Sequence, residues 1–384
     1  MRGLDDVLQK INPERVASLL ERAVHKYSPS YKESAAVHVF TDALEEAGVP
    51  YRLQHVPIDD EEEAGDADRA NVIIEVGPSP PALLWIGHVD TIPLHHGEEL
   101  TVRREGDVLF GLGAADMKGG CVAAVEAVTA LVEAGVELQR GLAVALVVGE
   151  EEYGDGSRAL EEELAAPLMV IGEPTGLVPC TDHFGYLELR LDAEGRRAHA
   201  ALPEVGQNAI HAMLRWLLLL TEELRRPPFG EAVALNLREI SGGTGLFIVP
   251  DACEAVLDIH LPPDTGPEHV LARVEEVRDR VAAEEGVRLS YERLHWSMGY
   301  AQPREDPLLA PLLRAFSSVG LDFAPSAFRS HSDGNLLYRR GVKPVICGPG
   351  ELELAHRREE RVSLAEVQRA ARLYAALFLE ACGG

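Results

Sequence analysis

The chain alternates amphipathic stretches with short, continuously apolar ones, and the alternation changes character near its middle. Residues 13–26 and 33–47 carry apolar side chains at the three- and four-residue spacing of a helix, and Asn12 ahead of Pro13 supplies an N-cap. Ser28-Pro29-Ser30 between them is turn chemistry. Residues 71–76, 82–86, 142–148 and 168–171 are apolar runs of strand length, with a long apolar helix over 121–134 among them. Strands apolar on both faces, alternating with helices, predict an α/β domain with a mixed, largely buried sheet flanked by helices.

Beyond about Cys180 the pattern differs. Residues 186–191 alternate, 208–224 are helical, 232–237 and 255–260 read as strands, 267–285 as a helix and 287–291 as a strand. That βαββαβ order predicts an α+β, ferredoxin-like domain. Helices over 307–319 and 364–379, with a strand over 342–347, complete the chain. A chain of 384 residues exceeds one ordinary core. The expected division is a catalytic domain built from residues 1–178 and 293–384, with residues 179–292 inserted as a lid or dimerisation domain.

Composition narrows the function classes. The net charge of −27 disfavours nucleic acid and anionic membrane surfaces as partners. No run approaches the ~18 apolar residues of a membrane span. Residues 1–10 lack the apolar core of a signal peptide, so a cytoplasmic protein is expected. Five cysteines without paired spacing indicate neither a disulfide framework nor a thiolate zinc site. Glu161, Glu162 and Glu163 read as a solvated helix face, and the acidic run at 59–63 as a surface loop or hairpin tip.

The candidate chemistry sits where apolar runs end. Leu83 to Gly87 leads into His88, with Asp90 two residues on and on the same side, where it could accept the second ring N–H of His88. Asp116 lies in a glycine-rich segment, Gly111-Leu112-Gly113-Ala114-Ala115-Asp116, whose glycines would let backbone crowd around a carboxylate. That segment opens like a dinucleotide fingerprint but has Asp116 at the third glycine position, which argues against a nucleotide site. Lys118 reads as a counter-charge or an exposed side chain. Glu150-Glu151-Glu152 follows the 142–148 run, Glu173 follows 168–171, and His356 follows 342–347. Each alone has a structural explanation as a capped turn or a solvated loop. Together, His88, Asp116, Glu151, Glu173 and His356 are the imidazole and carboxylate set that a pair of divalent cations requires. Glu150 is then the spare carboxylate that activates water, with Glu151/Glu152 as the competing register.

These motifs, with Ala198-His199-Ala200, Gly206-Gln207-Asn208-Ala209-Ile210 and Ala355-His356 followed by Glu360, resemble the co-catalytic zinc family of acetylornithine deacetylase, succinyl-diaminopimelate desuccinylase, aminoacylase and glutamate carboxypeptidase. The resemblance runs nearly end to end. It implies two divalent metal ions, zinc or alternatively cobalt, with Asp116 bridging them, His88 and Glu173 completing one, and Glu151 and His356 the other. It further implies Glu150 as general base, Asp90 as orienter of His88, His199 as oxyanion donor and a homodimer formed through the inserted domain. The implied substrate is a small N-acylated amino acid or a dipeptide. The match breaks where that family often carries an Asn and an Arg for the substrate carboxylate, since Phe247 and His260 stand there. Arg329, near His331, Ser332 and Asp333, is a candidate replacement through a bidentate contact, and Gly243 in Ser241-Gly242-Gly243-Thr244 a candidate for close backbone approach. The spacing around Gly348-Pro349-Gly350 and His356 is closer to the deacetylase branch. Removal of a small acyl group is therefore the leading expectation and peptide cleavage the alternative.

Overall fold

A computed structural model describes residues 3–58, 65–94, 97–152 and 154–383; the acidic run at 59–63 lies outside them. The chain divides into two compact units, Met1–Thr181 with Gln302–Phe328 and Ser332–Gly384, and Asp182–Ala301 with Arg329–His331.

The first unit is built on a mixed sheet whose strands run in the order Arg52–His55, Ala70–Val76, Gly141–Val147, Pro81–His88, Leu168–Pro174, Val345–Gly348 and Cys180–His183. Pro81–His88 lies parallel to both Gly141–Val147 and Leu168–Pro174, and the latter is parallel to Val345–Gly348. Ala70–Val76 joins antiparallel, which makes the sheet mixed. Alternate residues of its strands enter two different cores. Val72, Ile74, Leu83 and Trp85 pack with the helices Pro13–Val24, Gly119–Glu133 and Leu364–Cys382, while Ile73, Leu84 and Ile86 pack with Leu160 and Leu337 on the opposite face. A period of two with apolar side chains at both phases is what a sheet covered on both faces demands.

Local chemistry sets the helix limits. The Asn12 side chain accepts from the N–H groups of Glu14 and Arg15 at 3.0 and 3.3 Å, so Pro13 starts its helix with satisfied donors. Gly119–Glu133 begins two residues before the apolar run and is buried on nearly every side. Its one charged inner residue, Glu126, is neutralised by the Arg15 guanidinium at 2.6 Å. All five cysteines are buried thiols. A small sheet of Arg103–Glu105, Val108–Phe110 and Arg361–Ser363 escaped the sequence reading because its strands are three residues long, too short for a period to show.

The second unit holds, among its described residues, an antiparallel sheet in the order Ala234–Gly242, Ala252–Leu261, Gly185–Glu194, Arg288–Ser297. With helices Ala209–Leu224 and Pro267–Glu285 in between, this is the βαββαβ, ferredoxin-like order. Leu187, Leu189, Leu191, Leu257 and Ile259 point to the helices and pack on Trp216, Val270 and Val274. The other face carries charge: Arg238 reaches Asp258 at 3.3 Å, and Asp258 also accepts from the Tyr186 hydroxyl at 3.0 Å. Strand Ala234–Gly242 is longer than its apolar run because it is an exposed edge with one covered neighbour. Among the described residues no helix is long and apolar enough to cross a membrane.

Candidate metal centre

Parallel strands deliver their carboxyl ends to one edge of the first unit's sheet, and the candidate ligands leave from that edge. His88 is the last residue of Pro81–His88, Glu150 and Glu151 follow Gly141–Val147, and Glu173 lies in Leu168–Pro174. His356 comes from the loop after Val345–Gly348. Beneath them lies the indole of Trp85, fully buried and edge-on to Tyr374 at 5.4 Å. A Cβ on Gly172 would sit 2.3 Å from that indole and 2.9 Å from the Met117 methyl. Glycine before Glu173 therefore lets the ring fill the floor of the site.

The side chains converge closely. One oxygen of Asp116 lies 3.2 Å from His88 Nε2, and the other lies 3.4 Å from His356 Nε2. His356 Nε2 is also 3.1 Å from Glu151. Glu150 and Glu173 each place an oxygen 3.8 Å from His88 Nε2. One ligand atom from each of His88, Asp116 and Glu151, and likewise from His88, Glu150 and Glu173, falls within 4.8 Å of the others. His356 takes a left-handed backbone conformation, φ 57°, which an L residue rarely adopts outside a constrained site.

Four carboxylates in so small a buried volume repel one another. Burial is the largest influence on Glu150, Glu151 and Glu173 and raises the pKa of each, well above the ordinary value for Glu150 and Glu173. For Asp116 burial is again the largest single influence, yet the bond to His88 together with the charges of His88 and His356 outweighs it and lowers the pKa. Burial opposes charging His88, but the charge of Glu173 and the bonds to Asp116 and Asp90 prevail and raise its pKa. His356 is pushed up to about 9, chiefly by its hydrogen bond to Glu151.

The donor set fits divalent cations. His88 Nδ1 lies 3.1 Å from the Asp90 carbonyl, and with its proton assigned to that bond the ring turns its Nε2 lone pair towards the carboxylates. Lone pair facing carboxylate is repulsive unless a proton or a cation lies between them. Imidazole nitrogen and carboxylate oxygen are the ligands zinc and cobalt take.

Asp90 does more than the sequence suggested. Its carboxylate is 3.5 Å from His88 Nδ1 but accepts the Glu151 N–H at 3.0 Å, the Glu150 N–H at 3.2 Å and the Ser30 hydroxyl at 2.8 Å. It thus fixes the peptide between the two glutamates. Lys118, read as a counter-charge or exposed, is fully buried and donates to the carbonyls of Ala23 and Lys26 at 3.2 and 2.8 Å, closing the end of helix Pro13–Val24. Asp333 is also buried and accepts from the Ser157 hydroxyl at 2.6 Å; burial foremost pushes it up to about 6. The sequence marked Ser30 only as turn chemistry and Asp333 only as a neighbour of Arg329, since their contacts are made across long stretches of chain.

The remaining candidates lie in the second unit. His260 is on strand Ala252–Leu261, its ring 5.4 Å from that of Tyr186, and burial with the nearby positive charge of Arg329 lowers its pKa against the opposing Asp258. Arg329 also stands over the Phe184 ring at 5.7 Å. His199 is exposed and bridges in β fashion to Ile248, and Phe247 is exposed. Gly243 has a left-handed φ of 82°, and a Cβ there would meet Ile210 at 3.5 Å and Pro250 at 4.0 Å.

A mixed sheet with imidazoles and carboxylates gathered at the ends of its parallel strands is the donor set of a divalent-metal site. The chain belongs to peptidase family M20/M25/M40, whose model matches residues 84–380, and that match makes it a metal-dependent hydrolase of amide or peptide bonds. It is similar to an acetylornithine deacetylase of Proteus mirabilis, 26% identical over 91% of this chain and 90% of that one. It is also similar to a probable carboxypeptidase of Aspergillus clavatus, 26% identical over 79% of this chain and 75% of that one. The solved structure of the aminopeptidase PepT of Bacillus cereus shares the fold with a TM-score of 0.78 at 21% identity, covering 97% of this chain and 99% of that chain.

Proposed function

We propose that the protein hydrolyses the amide bond of a small N-acyl amino acid, as a deacetylase of the acetylornithine or acetylcitrulline type. The observation that carries this reading is the convergence of His88, Asp116, Glu151 and Glu173, with Glu150 alongside and the half-exposed His356 closing the cluster from its open side through Asp116 and Glu151. His88 and Glu173 would hold one divalent cation, Glu151 and His356 a second, and Asp116 would be shared, its two oxygens facing the two histidines. Zinc is the proposed metal, with cobalt a substitute; two such ions, when bound, would supply Lewis acidity for the scissile carbonyl and for the attacking water.

The chain's own groups handle the rest. The Glu150 carboxylate accepts the proton of the attacking water and returns it to the nitrogen of the leaving amine. Asp90 keeps Glu150 from turning away, through the N–H groups of Glu150 and Glu151. His199 is assigned as the donor to the tetrahedral oxyanion. Arg329 is assigned to the substrate carboxylate with His260 beside it, and Gly243 to backbone approach.

The second reading is a carboxypeptidase or dipeptidase of the glutamate carboxypeptidase type, favoured by the Aspergillus clavatus relative's description as a probable carboxypeptidase. A panel of N-acetyl amino acids, dipeptides and N-acyl glutamates separates the two. We expect turnover of the N-acetyl amino acids, loss of activity on chelation and recovery on adding zinc or cobalt. Turnover of dipeptides alone would establish the second reading, and activity indifferent to chelation would sink both.

The protein is further proposed to be a cytoplasmic homodimer joined through the second unit. The exposed edge strand Ala234–Gly242 carries Leu237 and Ile240, and helix Ala209–Leu224 exposes Leu214 and Leu218 one turn apart. Light scattering should give twice the chain mass, with Leu218→Glu reducing it to the monomer; a monomeric native protein would refute the dimer.

A further inference from the structure

The glycine-rich turn before Asp116 does crowd backbone around a carboxylate, but that carboxylate belongs to Glu360. One oxygen of Glu360 accepts the N–H groups of Ala115 at 2.9 Å and Asp116 at 3.1 Å. Successive N–H groups turned inward form a concavity suited to an anion. Gly113 makes the turn possible with a φ of 81°, and a Cβ there would meet the Thr91 methyl at 2.7 Å. The Glu360 main chain holds the same turn from the other side, its carbonyl accepting the Gly111 N–H at 3.0 Å, and the next residue, Arg361, pairs with Phe110. Glu360 itself is buried, four residues after His356.

We propose that Glu360 is the positioning residue of the metal centre: its carboxylate fills a backbone anion nest formed by the N–H groups of Ala115 and Asp116 and so fixes where Asp116 presents its two oxygens. This rests on the reading that Asp116 and His356 hold cations. Glu360 then serves two ligands together, because the loop that carries His356 also delivers the anion that sets Asp116. An N–H held at the Asp116 residue itself leaves its backbone no freedom to swing the carboxylate from one histidine to the other. The geometry requires an acceptor at a particular reach.

The test is metal titration of apo-protein with zinc, read by calorimetry and elemental analysis, beside the melting temperature of each apo variant. Glu360→Gln keeps the acceptor at full reach and should bind zinc within a few-fold of the wild type. Glu360→Ala leaves the nest empty and should bind about 10- to 100-fold more weakly. Glu360→Asp keeps the charge but withdraws it by one methylene, and should also bind more weakly than Glu360→Gln. Zinc binding equal to wild type in a folded Glu360→Ala would overturn the proposal. Should that variant not fold, Glu360→Asp binding as well as Glu360→Gln would overturn it. A wild-type protein that takes up no metal at all would refute the reading of the centre itself, which is a separate and recognisable result.

Discussion

Glu150→Ala is expected to lower kcat by about 10²–10⁴-fold while metal content stays at the wild-type level, which is the range a positioned general base contributes. The split follows from the proposed roles. Glu150 is not among the five proposed ligands, so they survive its truncation, whereas Glu173, at the same 3.8 Å from His88 Nε2, is one of them. Its N–H is held by Asp90 whatever the side chain, so truncation leaves the loop in place. Steady-state kinetics beside elemental analysis of the same preparation make the check. Turnover that survived the substitution would move the base to Glu151 or Glu152, and a parallel loss of metal would make Glu150 a ligand.

Asp116→Ala should have the opposite signature, with metal uptake and turnover lost together. Its two oxygens face different imidazoles, 3.2 Å from His88 and 3.4 Å from His356, so no other side chain of the cluster stands in the same relation to both. Without it, His88 with Glu173 and His356 with Glu151 become two separate, under-coordinated pairs. Affinity should fall at both positions and activity to background. Elemental analysis after dialysis against micromolar zinc checks this; a variant that kept two equivalents of metal would mean that Asp116 is not shared.

The contrast between Asp116 and Glu360 shows what a motif can and cannot convey. Asp116, Glu150, Glu151 and Glu173 were legible because each is a charged residue at the end of an apolar run, where a lone carboxylate would be costly to bury. Glu360 carried no such mark. It follows a polar stretch, Arg357-Arg358-Glu359, and its partners are backbone N–H groups more than two hundred residues earlier. Lys118 was misjudged for a related reason: its charge suggested solvent or a counter-ion, whereas the carbonyls that receive it close a helix from another part of the chain. The three-residue strands at 103–105, 108–110 and 361–363 have no periodicity to detect, and pairing alone makes them strands.

Apolar periodicity by itself determined the two architectures, a sheet buried on both faces and a βαββαβ unit, because which side chains must leave water is a local property of the sequence. The residue types able to bind metal were legible for the same reason. Tertiary structure decided which donors each imidazole meets, that Asp90 grips the Glu150–Glu151 peptide, and that the glycine turn closes on Glu360. Those are contacts between segments distant in sequence, and their distances depend on how the strands stack rather than on any residue's own preference.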